Sequence, residues 1–223
     1  MFGFLVRGQH GQVQIDDAFF NLALLAKGTV SVTGGSGLFG LVDEIFVPGA
    51  LVYAIRPNAG AFGLVKQAFD GETCSVQFAG SASYGDTITY WAFGKLSTTT
   101  LLSKSDFGLR VSNDTGARVF DSRAQYAKPI DFQWERFRAG QTTNFNRTFS
   151  YSRPVALILN PSPTGLFGVD GAGWNQHRML VFAMSGNNVT VSAEPFRRIM
   201  GDMMNRNTIS GILSFTVLDV SGM

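Results

Sequence analysis

Charge is scarce in this chain. Asp, Glu, Lys and Arg make up 15% of its 223 residues, well under the usual quarter. The formal net charge is +2, and no basic stripe offers a footprint for nucleic acid, so no polyelectrolyte partner is expected. A single cysteine, Cys74, excludes an internal disulfide. Between Thr73 and Ser75 in a strand-like run, it reads as a small buried apolar residue. No apolar run approaches the ~20 residues that a membrane-spanning helix requires, so membrane insertion is not expected. The first residues, Met1 to Arg7, lack the basic head and long apolar core of a signal peptide. The expectation is synthesis and folding in a reducing cytosol.

Glycine and phenylalanine are abundant, at 26 and 20 residues. Low charge, many glycines and many β-branched and aromatic residues together predict an all-β protein rich in turns. The chain also repeats itself. Phe2-Gly3-Phe4-Leu5-Val6, Gly11 and Ile15-Asp16-Asp17 reappear without a gap, about 105 residues later, as Phe107-Gly108-Leu109-Arg110-Val111, Gly116 and Phe120-Asp121-Ser122. An offset the size of a small domain predicts two tandem, internally duplicated antiparallel β-sandwich domains. The expected boundaries are 1–95 for the first module, 96–105 for a Ser/Thr-rich linker and 106–223 for the second module. Gly11, Asp16, Gly116 and Asp121 form the signature of the repeat.

Strand candidates follow one another about every ten residues, as in a sandwich or small barrel. In the first module they are Asp43–Val47, Ala50–Arg56, Phe62–Phe69, Thr73–Phe78 and Thr87–Phe93. In the second they are Ile130–Phe137, Asn144–Tyr151, Val155–Leu159, Met179–Met184, Val189–Ala193 and Gly211–Asp219. The run Asp17–Lys27 is open to a short helix. The closing strands lie about 125 residues apart, so the second module carries about 20 extra residues. An insertion near 194–208 accounts for most of them. There Phe196, Met200, Met203 and Met204 fall near helical spacing, after a Pro195 suited to a first turn. This insertion is either a partner-contact surface, since Met-rich faces adapt to partners, or a segment folded back on its own sandwich. Arg136, Arg138, Arg147 and Arg153 interleave with Trp134, Phe137, Phe145 and Phe149. The pattern fits a stacking platform for a single strand or glycan, or a strand pair with outward arginines and inward aromatics.

Catalytic groups do not converge. His10 lies in a hairpin turn, and His177 has no neighbouring ligand spacing for a metal. Gly34-Gly35-Ser36-Gly37 lacks the Lys-Ser/Thr of a phosphate loop. Asp16 and Asp121 occupy equivalent positions after a strand, where an aspartate accepts backbone N–H bonds. No enzyme activity, cofactor or metal is expected. Trp174 and Asn175, in Gly-Ala-Gly-Trp-Asn-Gln, are candidates for ligand contact through ring stacking and hydrogen bonds. The competing reading places Trp174 as a plug at the sandwich end.

The segment Phe107-Gly108-Leu109-Arg110-Val111-Ser112-Asn113-Asp114-Thr115-Gly116-Ala117-Arg118-Val119-Phe120-Asp121-Ser122-Arg123 resembles one in small distal-tail proteins of long-tailed bacteriophages. The closing Ile88-Thr89-Tyr90-Trp91-Ala92-Phe93-Gly94 is similar to their terminal strand. The resemblance implies a virion structural protein at the tail tip, baseplate or fibre junction, with hub, distal-tail or fibre proteins as partners, and it carries over no catalytic residue. The first module departs from it, with Ile15-Asp16-Asp17 in place of Phe-Asp-Ser. The duplication makes a homo-oligomer the expectation, a trimer foremost, because three two-module chains present six similar domains. A receptor- or glycan-binding tail module is the alternative.

Overall fold

The computed structural model describes residues 5–7, 13–16, 21–34, 40–81, 83–96, 107–136, 145–160, 166–169, 175–199 and 212–223. Every regular element among them is a strand. The first half holds β1 (Leu5–Arg7), β2 (Val13–Asp16), β3 (Ala23–Gly34), β4 (Gly40–Val42), β5 (Ile45–Phe46), β6 (Ala50–Pro57), β7 (Ala61–Asp70), β8 (Thr73–Gly80) and β9 (Thr87–Gly94). The second half holds β10 (Arg110–Ser112), β11 (Arg118–Asp121), β12 (Pro129–Arg136), β13 (Asn146–Ser150), β14 (Val155–Leu159), β15 (Leu166–Val169), β16 (Asn175–Ser185), β17 (Asn188–Ile199) and β18 (Ile212–Asp219).

β1–β2 and β10–β11 are separate hairpins. The other fourteen strands form one hydrogen-bonded network in the order β12-β18-β14-β6-β9-β3-β4-β8-β7-β16-β17-β13, with β15 on β16 and β5 on β8. β3 is long enough to serve two layers. Its residues from Ala23 to Ser31 pair with β9, and Val32 and Gly34 pair with β4. The first layer is therefore β12-β18-β14-β6-β9-β3 and the second β4-β8-β7-β16-β17-β13, each drawing strands from both halves.

The halves do not bury separate cores. The largest apolar cluster joins Tyr53, Ile55, Phe62, Phe78 and Ile88 of the first half to Leu157, Phe182, Val191 and Phe215 of the second. Strand alternation explains the contribution of each strand: along β18, Leu213, Phe215 and Val217 face this core, as a period of two requires. Each such side chain contributes about 1.5–3 kcal/mol by leaving water. Two seams join the halves, Leu157 opposite Ile55 and Phe182 opposite Phe62. Arg56 crosses the first seam and donates to the carbonyl of Gly186 at 2.8 Å. At the second seam Gly63 lies against the Leu180 carbonyl, where a Cβ would collide.

The first layer also curls on itself. Leu24 N–H donates to the Gln125 carbonyl at 2.7 Å and Ala127 N–H to the Leu22 carbonyl at 2.9 Å, so the start of β3 meets the segment entering β12. Its second face is buried there in a smaller cluster of Leu24, Ala54, Trp91, Phe93, Ala156, Leu218 and Val220. This explains why Trp91 and Phe93 alternate with Ala92 in a strand that is apolar on both faces.

Registers recur between the halves. Leu5 pairs with Asp16 and Arg7 with Val13, with a shift between Val6 and Arg7. At the positions 105 later, Arg110 pairs with Asp121 and Ser112 with Arg118, with a shift between Val111 and Ser112. The β3–β9 ladder shifts between Leu24 and Ala26, and β12–β18 between Pro129 and Asp131, again 105 later.

Two local expectations change. Within Asp17–Lys27, residues from Ala23 onward are strand, because β9 supplies their backbone partners. The helical spacing after Glu194 does not yield a helix over the described part, since β17 continues to Ile199 beside β16. Pro195 is accommodated at the register shift, where Arg178 opposes Pro195 and His177 opposes Arg197, the kind of position at which a strand tolerates proline. Residues 200–211 and most of the expected linker lie outside the described residues.

Candidate functional site

The repeat signature is best described in the second half. Asn113 shapes the β10–β11 turn: its Oδ1 accepts from Thr115 N–H at 3.2 Å and Ala117 N–H at 2.8 Å. Gly116 completes the turn at a φ of +80°, a conformation that glycine adopts without steric cost. The strand then delivers Asp121, whose side chain is fully buried. Its Oδ1 accepts from Arg123 N–H at 3.0 Å and Arg123 Nε at 2.9 Å. Its Oδ2 accepts from Arg123 Nη2 at 2.8 Å, with Arg110 Nε at 3.3 Å and Arg118 Nη1 at 3.4 Å. The fork of Arg123 on both oxygens is the strong, bidentate form of the pair. Hydrogen bonding and charge from Arg123, with Arg110 adding charge, outweigh burial and hold the Asp121 carboxyl down at about 2.

Tyr126 clamps the same residue from the main chain. Its hydroxyl accepts from Asp121 N–H at 2.7 Å and donates to the Asp121 carbonyl at 3.0 Å, while its ring stacks on Phe120 at 5.2 Å. Ser122 Oγ accepts from Leu109 N–H at 2.9 Å. Phe120-Asp121-Ser122-Arg123 is thus a fastening, each side chain occupied by its neighbours. The carboxylate is saturated by donors, which suits it to holding the hairpin and not to accepting a substrate proton. The positions 105 earlier than Arg110, Arg118 and Arg123 are Leu5, Val13 and Ala18, so no arginine stands at the matching positions of the first half.

Four further carboxylates are likewise partnered. Glu44 meets Lys66 at 2.7 Å and Glu72 meets Lys95 at 2.8 Å. The Lys66 contact, with a Ser75 hydrogen bond, lowers the Glu44 carboxyl. Asp43 accepts from Thr33 Oγ1. Asp131 Oδ2 accepts from Gln133 Nε2 at 2.6 Å and Tyr151 hydroxyl at 2.9 Å, which lowers the Asp131 carboxyl. Burial, followed by that carboxylate, raises the Tyr151 phenol. Among the described residues no three His, Cys, Asp or Glu side chains gather as a metal site, and no helix is long and apolar enough to cross a membrane. Cys74 is buried in the shared core.

Of the expected contact residues, Phe196 and Asn175 lie among the described residues, on paired strands. Phe196 lies in β17 between the residues that pair with Arg178 and His177, and Asn175 opens β16 opposite Ile199. Asp16 ends β2 opposite Leu5. Gly11, Trp174, Met200, Met203 and Met204 lie outside the described residues.

One surface escaped the sequence reading. Along β12, Ile130, Phe132 and Trp134 are exposed, whereas Asp131 and Gln133 pair with the core residues Val217 and Phe215. Of the two readings of the arginine–aromatic pattern, the one with inward aromatics fails at Trp134, while Phe145 and Phe149 pack on the core. The reason is the Asp131–Gln133–Tyr151 network, which satisfies the polar alternate residues at the edge of the core and leaves the apolar ones outside. Compared with known protein families, curated proteins and solved structures, the chain matches none of them.

Proposed function

We propose that this chain is a structural protein of a bacteriophage distal tail, at the tip or baseplate, that acts through protein–protein contacts in an oligomeric ring. The observation that carries the proposal is the recurrence of hairpin register at an offset of 105 residues, shifts included. It favours an internally duplicated β module, joined here through shared layers. Three such chains present six similar units, which would let a threefold neighbour on one side meet a sixfold one on the other. The resemblance of the Phe107–Arg123 segment points to the tail, and the closed Asp121 fastening favours an assembly role over turnover. Hub, distal-tail or fibre proteins are the partners of this reading, and the virion is its location.

The test is to label the chain in purified virions and locate the label by electron microscopy. Label at the distal end of the tail supports the proposal; virions without the chain overturn it. A light-scattering mass that is not a multiple of three chains removes the trimer.

A further inference from the structure

Asp121 gathers more positive charge than one carboxylate can balance. Arg123 forks onto both of its oxygens, at 2.9 and 2.8 Å, with a side chain only 14% exposed. Arg110 and Arg118 then approach the oxygen that Arg123 Nη2 already holds, at 3.3 and 3.4 Å. Their side chains are 53% and 38% exposed. Among the described residues, Asp121 Oδ2 is the one ion-pair or hydrogen-bond partner of either guanidinium. Arg123 already matches the single charge of Asp121, so Arg110 and Arg118 converge there with no counter-charge of their own.

Stability does not account for that convergence. Long contacts from side chains this exposed contribute little, and two guanidiniums drawn to one oxygen repel each other. The hairpin does not need them either. β1–β2 has the same pairing, with Leu5 and Val13 in their places.

The surroundings suit a protein partner. β10–β11 pairs with no other strand among the described residues. Phe107 and Leu109, 89% and 51% exposed, lead into Arg110. A guanidinium meets a carboxylate through two parallel hydrogen bonds, as Arg123 meets Asp121. An apolar neighbour, once covered, excludes the water and salt that weaken a surface ion pair. Nucleic acid would call for a longer run of cations than two. We propose that Arg110 and Arg118 clamp an aspartate or glutamate side chain of a partner protein, whose adjoining apolar residue rests on Leu109. That the partner is a protein rests on the assembly reading above; the clamp specifies the chemistry of its contact.

The experiment titrates the full chain, isotopically labelled, and follows the arginine Nε–Hε resonances by NMR. The probe is a blocked pentapeptide, Gly-Leu-Glu-Leu-Gly, compared with its glutamine counterpart and with inorganic phosphate. The glutamate peptide is expected to shift the Arg110 and Arg118 resonances, and the glutamine peptide to bind at least about tenfold more weakly. In R110Q/R118Q, with binding followed at the Leu109 amide, a loss of about tenfold or more is expected. An unchanged melting midpoint would show that this variant folds; if it does not, R110K and R118K, which keep the charge and lose the fork, take its place. No shift at millimolar peptide, equal binding of the glutamine peptide, or full affinity in the variants overturns the clamp. Phosphate binding tighter than the glutamate peptide overturns the protein partner in favour of a free oxyanion. Virion labelling is read separately: a chain absent from virions sinks the tail assignment and leaves the clamp standing, and a chain in virions whose arginines ignore the peptide does the reverse.

Discussion

Gly71 and Gly186 turn the β7–β8 and β16–β17 hairpins at nearly the same angle, with φ of +59° and +60°. Each follows the last paired residue of its outgoing strand, Asp70 opposite Thr73 and Ser185 opposite Asn188. A side chain at either glycine meets no neighbour, so alanine there isolates backbone strain, about 1 kcal/mol. G71A and G186A are expected to lower the denaturation midpoint by similar amounts. Strongly unequal losses would argue against equivalent turns.

Gly63→Ala is expected to cost more, about 1–3 kcal/mol, as overpacking does. The obstacle is the Leu180 carbonyl of the facing strand, which cannot rotate aside as a side chain would. The loss should appear in urea unfolding as a single transition, because the two halves share a core. Two separate transitions would contradict that sharing.

Asp121 makes stability depend on acid. Its folded carboxyl is held at about 2, below the ordinary 3.8, so the unfolded chain takes up the proton first. The contribution is present above about pH 4 and is lost as pH falls from about 4 towards 2, and it is on the order of 2 kcal/mol. D121N should lower stability at pH 7 and flatten the fall between pH 4 and pH 2. An acid limb as steep as that of wild type would refute the assignment to Asp121.

Tyr126→Phe keeps the stack on Phe120 and removes the hydroxyl shared by Asp121 N–H and carbonyl. The expected cost is about 1–3 kcal/mol, because two partly buried main-chain groups lose their partner. Hydrogen exchange at the Asp121 amide should accelerate with it. An unchanged exchange rate would mean that the hydroxyl does not hold the strand end.

Cys74 is fully buried, so its thiol should react with a water-soluble disulfide reagent only as the core opens. The reaction should share the midpoint of denaturant unfolding. Fast modification under native conditions would show that the shared core opens locally near β8.

Most strands were legible in advance because burial acts on alternate residues: Ile88 and Ala92 on one face of β9, Leu213, Phe215 and Val217 along β18. A residue pattern recurring 105 positions apart, with aspartates at 16 and 121, was legible too, and the β1–β2 and β10–β11 hairpins share its register. The arginine cage was hidden because Arg110, Arg118 and Arg123 have no common spacing; they converge only when β10 and β11 pair and the chain turns after Asp121. The orientation of β12 was hidden for a related reason. Alternation of Ile130, Phe132 and Trp134 with Asp131 and Gln133 defines two faces without naming the one that is inside. Tyr151 decided it, twenty positions away, by giving Asp131 a donor at the edge of the core.

Composition and periodicity alone committed this chain to β-structure and to its turns, because these follow from residue volumes, backbone preferences and spacing within a few positions. Which half supplies which layer, that one core serves both, and which side chains are left facing water depended on contacts between residues about a hundred positions apart. Such pairings, as of Ile55 with Leu157, are selected by how the whole set of apolar faces can be buried together, a condition that no local stretch of sequence contains.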